Sequence, residues 1–221
     1  MISSGRIMVN DRVVTEPGSR ATWGKDSIKV DGSDIPRPSP RTYLMLNKPF
    51  GYLCTLNDPG GRPMVSDLLK DVPPRVYPVG RLDFDSLGLL LMTDDGEWAH
   101  RLAHPRYRVP KTYKITVNGT IPESVLQVLR NGVDLEDGNS GPVKATFLKQ
   151  ERGKSIVRMT INSGRNRIVR RMLEKVGYPI VHLIRTGYGI LELGDLKLKE
   201  YRHLETHEVE AMKKIVGLAG R

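Results

Sequence analysis

The 221-residue sequence contains one cysteine, Cys54, so no disulfide can form within the chain and no multi-cysteine metal site can be assembled. Cys54 itself reads as a small apolar residue, buried or half-buried. Long apolar runs are also missing: the longest, Leu87 to Met92, falls far short of the roughly 20 residues a membrane-spanning helix needs. The opening Met1-Ile2-Ser3-Ser4-Gly5-Arg6 lacks the apolar core of a secretory signal. Together these absences lead to the expectation of a cytoplasmic protein with no membrane partner. The pair Gly60-Gly61 is not followed by Gly-Lys-Ser/Thr, so Asn57 to Gly61 reads as a loop and not as a phosphate cradle. Two histidine pairs, His100 with His104 and His203 with His207, have i,i+4 spacing, but neither carries the glutamate of a zinc-peptidase motif. Solvated helix edges are expected there, and no metal.

Acidic residues are absent from two long stretches. Between Arg101 and Lys114 the charged residues are Arg101, Arg106, Arg108, Lys111 and Lys114; between Arg152 and Arg171 they are Arg152, Lys154, Arg158, Arg165, Arg167, Arg170 and Arg171. The chain as a whole has 35 Lys and Arg against 25 Asp and Glu, a formal charge of +10. Solubility requires no such clustering, whereas a surface that tracks a polyanion does, and nucleic acid is the leading candidate.

What is present divides the chain near residue 36. Residues 1–36 hold short strand signals at Val9-Asn10, Val13-Val14 and Ile28 to Val30, separated by turns at Asn10-Asp11, Pro17-Gly18 and Asp31-Gly32. Pro36-Arg37-Pro38-Ser39-Pro40 reads as an extended linker, taken as residues 37–41, and a larger domain as 42–221. Within that domain strands are expected at Tyr43 to Leu46, Leu87 to Met92, Thr112 to Val117, Val143 to Lys149, Ile156 to Ile161, Val181 to Ile184 and Ile190 to Leu193. Asn47 to Gly51 reads as a turn. Helices are expected at Glu97 to His104, started by Asp94 or Asp95, after a Thr120/Glu123 capping box, and from Arg165 to Val176 with Gly177 as its stop. A last helix carries Val209, Met212, Ile215 and Val216. Strands interspersed with few helices and no regular crossover imply an α+β fold, its sheet mixed but largely antiparallel, with flanking helices.

Chemistry is expected where Gly80-Arg81-Leu82-Asp83 leads through Phe84-Asp85-Ser86 into the core strand beginning at Leu87. A carboxylate at the end of a buried strand is held rigidly, and the plain alternative is a turn residue paired with Arg81. Two further elements are candidates to join it, the strand Lys111-Thr112-Tyr113 and the arginine-studded segment Gly164 to Met172. By themselves Tyr113 reads as a strand aromatic packed in the core, and Arg170 as an exposed i,i+4 partner of Glu174. Arg165, Arg167 and Arg171 suit phosphate.

In this order the segments resemble the RsuA/RluB-type pseudouridine synthases, which isomerise uridine in ribosomal RNA. The resemblance runs through Leu46-Asn47-Lys48-Pro49, Pro78 to Asp83, Ser86, Gly88 to Leu91, Thr93 to Glu97, His104-Pro105, Lys111-Thr112-Tyr113, Gly164 to Met172, Leu183-Ile184-Arg185, Gly189 and Tyr201 to Leu204. It implies the pseudouridine synthase fold, with Asp83 as catalytic aspartate, Tyr113 packing on the target base as candidate proton acceptor, and Arg170 as partner of the aspartate. Arg81 and Leu183 would line the uracil pocket, and Lys48, Arg106, Lys111, Arg165, Asn166, Arg167 and Arg171 would contact ribosomal RNA. It implies base flipping and no cofactor; oligomeric state is not readable from the sequence, and a monomer is the default expectation. Ser4 to Asn10 resembles the second half of an S4 RNA-binding domain, and Ile168 departs from the glutamine found in many members. Two other functions fit parts of the pattern: a non-catalytic ribosome-assembly or RNA-binding protein, and a glycosidase pairing Asp83 with Asp85.

Overall fold

A computed structural model of the chain describes residues 1–35, 40–70, 72 and 76–218, and its chain forms two compact units, Met1–Pro40 and Arg41–Arg221. Most of the expected linker, Pro36 to Ser39, lies outside the described residues.

The first unit is an antiparallel sheet of β1 (Ile7–Val9), β2 (Arg12–Val14), β3 (Ile28–Val30) and β4 (Ser33–Asp34) in the order β2-β1-β3-β4. Asn10 and Asp11 adopt left-handed angles (φ 51° and 59°), the geometry a two-residue hairpin turn requires and one these side chains tolerate. No described side chain of this unit is fully buried. Ion pairs Arg6–Asp31 (2.5 Å) and Lys29–Asp11 (2.6 Å) link its turns to its strands.

The second unit contains β5 (Tyr43–Lys48), β6 (Tyr77–Pro78), β7 (Leu87–Thr93), α1 (Gly96–Ala103), β8 (Lys111–Asn118), α2 (Glu123–Asn131), β9 (Asp134–Leu135), β10 (Gly138–Asn139), β11 (Lys144–Glu151), β12 (Lys154–Ile161), α3 (Ile168–Lys175), β13 (Ile180–Tyr188), β14 (Leu191–Glu192), β15 (Tyr201–His203) and α4 (Thr206–Ile215). Among the described residues, nine of these strands form one sheet along β11-β12-β8-β13-β7-β5-β15, with β14 on β13 and β6 on β7. Only the β13–β7 pairing is parallel, so the sheet is mixed and largely antiparallel as expected.

The unbroken apolar run in β7 follows from covering both faces. Leu90 and Met92 enter one core with Leu126 and Leu129 of α2 and Ile168, Met172 and Leu173 of α3. Leu89 and Leu91 enter the other with Trp98 and Leu102 of α1 and Val209 and Met212 of α4. Successive side chains alternate between faces, so a strand buried on both sides must be apolar at every position. Gly88 serves a narrower need: a Cβ there would lie 2.2 Å from the Arg185 carbonyl oxygen, so only glycine lets β13 approach β7.

Several expected boundaries move. Asn47 and Lys48 extend β5, and the turn begins only at Pro49. The helix after Thr120 starts at Glu123 with Pro122 at its cap; the Thr120 hydroxyl accepts from Gln150 Nε2 (2.7 Å), so the expected capping box does not form. Asp95 does cap α1, accepting from the Trp98 amide (3.1 Å). The helix expected from Arg165 begins at Ile168, because Arg167 sits in the left-handed region (φ 45°) and breaks the turn before it. Ile190 precedes the short β14 and is exposed. His203 lies in β15 and His207 in α4, so that pair shares no helix face, and among the described residues no cluster of possible metal ligands occurs.

Candidate active site

A cavity of about 250 Å³ opens where the loop before β7, strand β8, the loop before α3, and strand β13 meet. Strand register builds its wall. Tyr113 of β8 pairs with Arg185 of β13, and Ile115 pairs with Leu183. Partners directly opposite in a sheet share a face, so Tyr113, Leu183 and Arg185 emerge together. Lys111, two residues before Tyr113, pairs with Tyr188 beyond a bulge in β13. Lys111, Tyr113, Leu183, Arg185 and Tyr188 line the cavity and are buried.

Opposite this wall, Asp83 lies in a loop closed by a hydrogen bond from the Ser86 amide to the Asp83 carbonyl (3.1 Å). Its side chain is 32% exposed and faces two guanidinium groups: Arg167 Nη1 at 3.6 Å and Arg170 Nε at 4.0 Å. Arg170 is buried and spends its other contacts on the rest of the loop. Its Nη2 donates to the Asp85 carbonyl (3.0 Å), reaches the Ser86 hydroxyl (3.4 Å) and pairs with the Asp85 carboxylate (3.0 Å). The Glu174 alternative is thereby excluded, and Arg167 is the nearer cation to Asp83. Arg81, the other partner considered for Asp83, is an exposed residue of the cavity rim.

Lys48 is a correction. Expected on the RNA-facing surface, it is fully buried, and its Nζ donates to the backbone carbonyls of Ser86 (2.8 Å), Asp83 (2.9 Å), Pro49 (3.1 Å) and Phe84 (3.5 Å). The cause is the extension of β5: register with β7 carries Lys48 opposite Gly88, beneath the Asp83 loop. Burial pulls its ammonium below the ordinary lysine range, opposed by nearby groups including Asp83 and Asp85. Cys54 is half-buried and supports the same loop, its sulfur accepting from the Leu82 amide (3.3 Å). Burial raises its thiol pKa, which disfavours a nucleophilic thiolate.

Lys111 also departs from the expected outer surface. It is buried in the cavity wall with its Nζ 5.0 Å from the Tyr188 ring centroid, and burial, then Arg185, lower its pKa to about 8. Arg185 and Tyr188 went unassigned in the sequence. Arg185 Nε donates to the Leu89 carbonyl (2.7 Å), its guanidinium lies 5.0 Å from the Tyr188 ring centroid, and its buried Nη2 has no hydrogen-bond partner among the described residues. Burial pushes the Tyr188 phenol up to about 12.

Arg165 and Asn166 line the cavity, but Arg165 and Arg171 both bind Asp137: Arg165 Nε lies 3.0 Å and Arg171 Nη1 2.7 Å from its carboxylate. The two guanidinium groups hold that carboxyl well below its ordinary range. Arg171 does not line the cavity, and neither does Arg106, which lies over Tyr107 (5.3 Å to the ring centroid). Ile168, at the departure from the family pattern, is a buried core residue at the start of α3.

A pocket with an acid held by arginines on one side and a tyrosine on the other now stands beside a direct comparison. Residues 42–175 match the family model described as RNA pseudouridylate synthase. The chain belongs to the RNA pseudouridylate synthase family. It is 43% identical over 215 residues to ribosomal large subunit pseudouridine synthase B of Bacillus subtilis, covering 96% of this chain and 87% of that one. The protein of the same name from Pseudomonas aeruginosa is 38% identical over 227 residues, covering 98% of this chain and 58% of that longer one. These similarities place the synthase within the RsuA/RluB type. A solved pseudouridylate synthase superposes with a TM-score of 0.73 at 29% identity, over 96% of this chain and 90% of that one. The sheet described above is thus the pseudouridine synthase fold.

Proposed function

We propose that this synthase isomerises a uridine of large-subunit ribosomal RNA to pseudouridine, with Asp83 as the catalytic group. The observation that carries the reading is the meeting of Asp83, Tyr113 and Leu183 in one cavity, with Arg167 and Arg170 within 4.0 Å of the carboxylate. The target must leave its stack to enter such a recess, so its uracil lodges between Leu183 and the Tyr113 ring. A fixed carboxylate beside the sugar stabilises the positive charge that develops at C1′ as N1 departs. The base turns, C1′ bonds to C5, one proton leaves C5 and one arrives at N1. Tyr113 is the proposed acceptor of the C5 proton. Atoms balance without a cofactor.

Arg81 is the proposed contact to the nucleotide at the cavity mouth. Arg106, Arg167 and Asn166 are proposed RNA contacts, while Arg165 and Arg171 reach phosphate only by sharing or leaving Asp137. Residues 1–35 are proposed as an S4-like docking segment. The synthase is further proposed to work as a cytoplasmic monomer; among the described residues no helix is long and apolar enough to cross a membrane.

The test is incubation with unmodified transcripts of large- and small-subunit ribosomal RNA, followed by chemical mapping of pseudouridine. One modified uridine in the large-subunit transcript is expected. Modification confined to the small-subunit transcript would contradict the choice of substrate, and tight binding without any modified base would leave only an RNA-binding role.

A further inference from the structure

The chain has three phenylalanines, and all three are exposed: Phe50 by 61%, Phe84 by 42% and Phe147 by 41%. Phenylalanine is ordinarily a core residue, so its consistent placement outside the core calls for a use. Two of the three stand together beside the cavity. Phe84 directly follows Asp83 in the chain, and its ring centroid lies 5.9 Å from that of Phe50, the planes tilted by 58°. Contact with each other still leaves both rings partly open to solvent.

The backbone under them is clamped. Lys48 Nζ holds the carbonyls of Pro49 and Phe84, and the Gly51 amide donates to the Phe84 carbonyl (2.9 Å). Gly51 takes φ +81°, and a Cβ there would lie 3.9 Å from the Phe84 ring. Phe84 is flanked by Asp83 and Asp85, whose carboxylates Arg167 Nη1 reaches at 3.6 and 3.5 Å, and Arg81 is exposed on the cavity rim. A clamped, exposed pair of aromatic rings beside the cavity is suited to an unstacked nucleobase, since every base has a π-face.

We propose that Phe50 and Phe84 form a stacking platform outside the uracil cavity, which receives the RNA base adjacent to the flipped uridine. This rests on the function proposed above. Extruding one nucleotide strips its neighbour of a stacking partner, and Phe84, one residue from Asp83, takes the vacated place. The chemical class of the ligand is an unpaired RNA base, with no demand on its identity.

The experiment uses a stem-loop excised around the uridine that the wild-type full chain modifies, and copies with an abasic site on its 5′ or 3′ side. Phe84→Leu keeps apolar contact with Phe50 but loses the ring, and Phe84→Tyr keeps the ring. Phe84→Leu is expected to raise KM by about fivefold to 100-fold, more than it lowers kcat, and Phe84→Tyr to restore it. An abasic neighbour on one side should cost the wild type a similar factor and the Leu variant little more, because the two changes remove the same contact. A KM for Phe84→Leu within about twofold of wild type, or losses that simply multiply, would overturn the platform. If Phe84→Leu is unstable, the abasic copies tested on the wild type decide alone: no loss on either side overturns it. Failure of the wild-type chain to modify any uridine strikes the proposed function itself, and the platform with it.

Discussion

The buried ammonium of Lys48 sets the geometry of Asp83 without touching substrate. Four carbonyls from Pro49, Asp83, Phe84 and Ser86 converge on it, so Lys48→Met leaves them without their common donor. Such a loss is expected to lower stability by about 2–4 kcal/mol, and calorimetry of the variant checks it. Asp83 should also lose its tether, so kcat should fall more than KM rises; an unchanged kcat would show that the knot is irrelevant to catalysis. Lys111 gives a pH test. Its folded pKa of about 8 lies below the ordinary 10.5, because it is buried beside Arg185 and the Tyr188 ring. Below pH 8 the ammonium is charged in both folded and unfolded chains and the burial cost is fully felt. Between about 8 and 10.5 the folded chain gives up the proton first, so stability should rise with pH, by at most about 1.4 kcal/mol per unit. Denaturant titrations of wild type and Lys111→Met across that window should differ by this slope, and parallel curves would refute the assignment. Neither lysine's position could be read from sequence: each sits among motif residues that resemble an RNA-contacting run, and only strand register turns them inward.

At the scale of elements, the approach of β13 to β7 is the joint on which the cavity depends. Gly88 permits it, and the 2.2 Å clash of an added Cβ with the Arg185 backbone has no flexible side chain to absorb it. Gly88→Ala should cost about 3 kcal/mol and lower Tm by roughly 6–12 °C; a Tm within a degree of wild type would mean that the two strands can separate without penalty. The β7 strand was legible because a run apolar at every position has few solutions other than a strand covered on both faces. The start of α3 was not. Arg165, Asn166 and Arg167 continue the apolar period of the helix as well as any polar residues would, and what ends it is tertiary. Arg165 and Arg171 reach back to Asp137, and Arg167 turns left-handed toward Asp83. Likewise the Thr120 capping box matched in sequence but yielded to Gln150 of a neighbouring strand.

At the largest scale, the mixed sheet of the second unit, with a core on each face, brings four separate segments to one cavity. The resemblance made the fold legible, since it follows from the order of motifs along the chain. The far wall was less so, because Arg185 and Tyr188 join it through pairing between strands more than 70 residues apart in sequence. The excess of positive charge was expected to lie outside, on the RNA path. In fact Lys48 is buried beneath the Asp83 loop, and Lys111, Arg170 and Arg185 are buried in the cavity wall. The most direct test of the account is the single-turnover yield of pseudouridine from Asp83→Asn on the RNA that the wild-type chain modifies. The account expects RNA binding close to wild type and no detectable pseudouridine; conversion at the wild-type rate would contradict it.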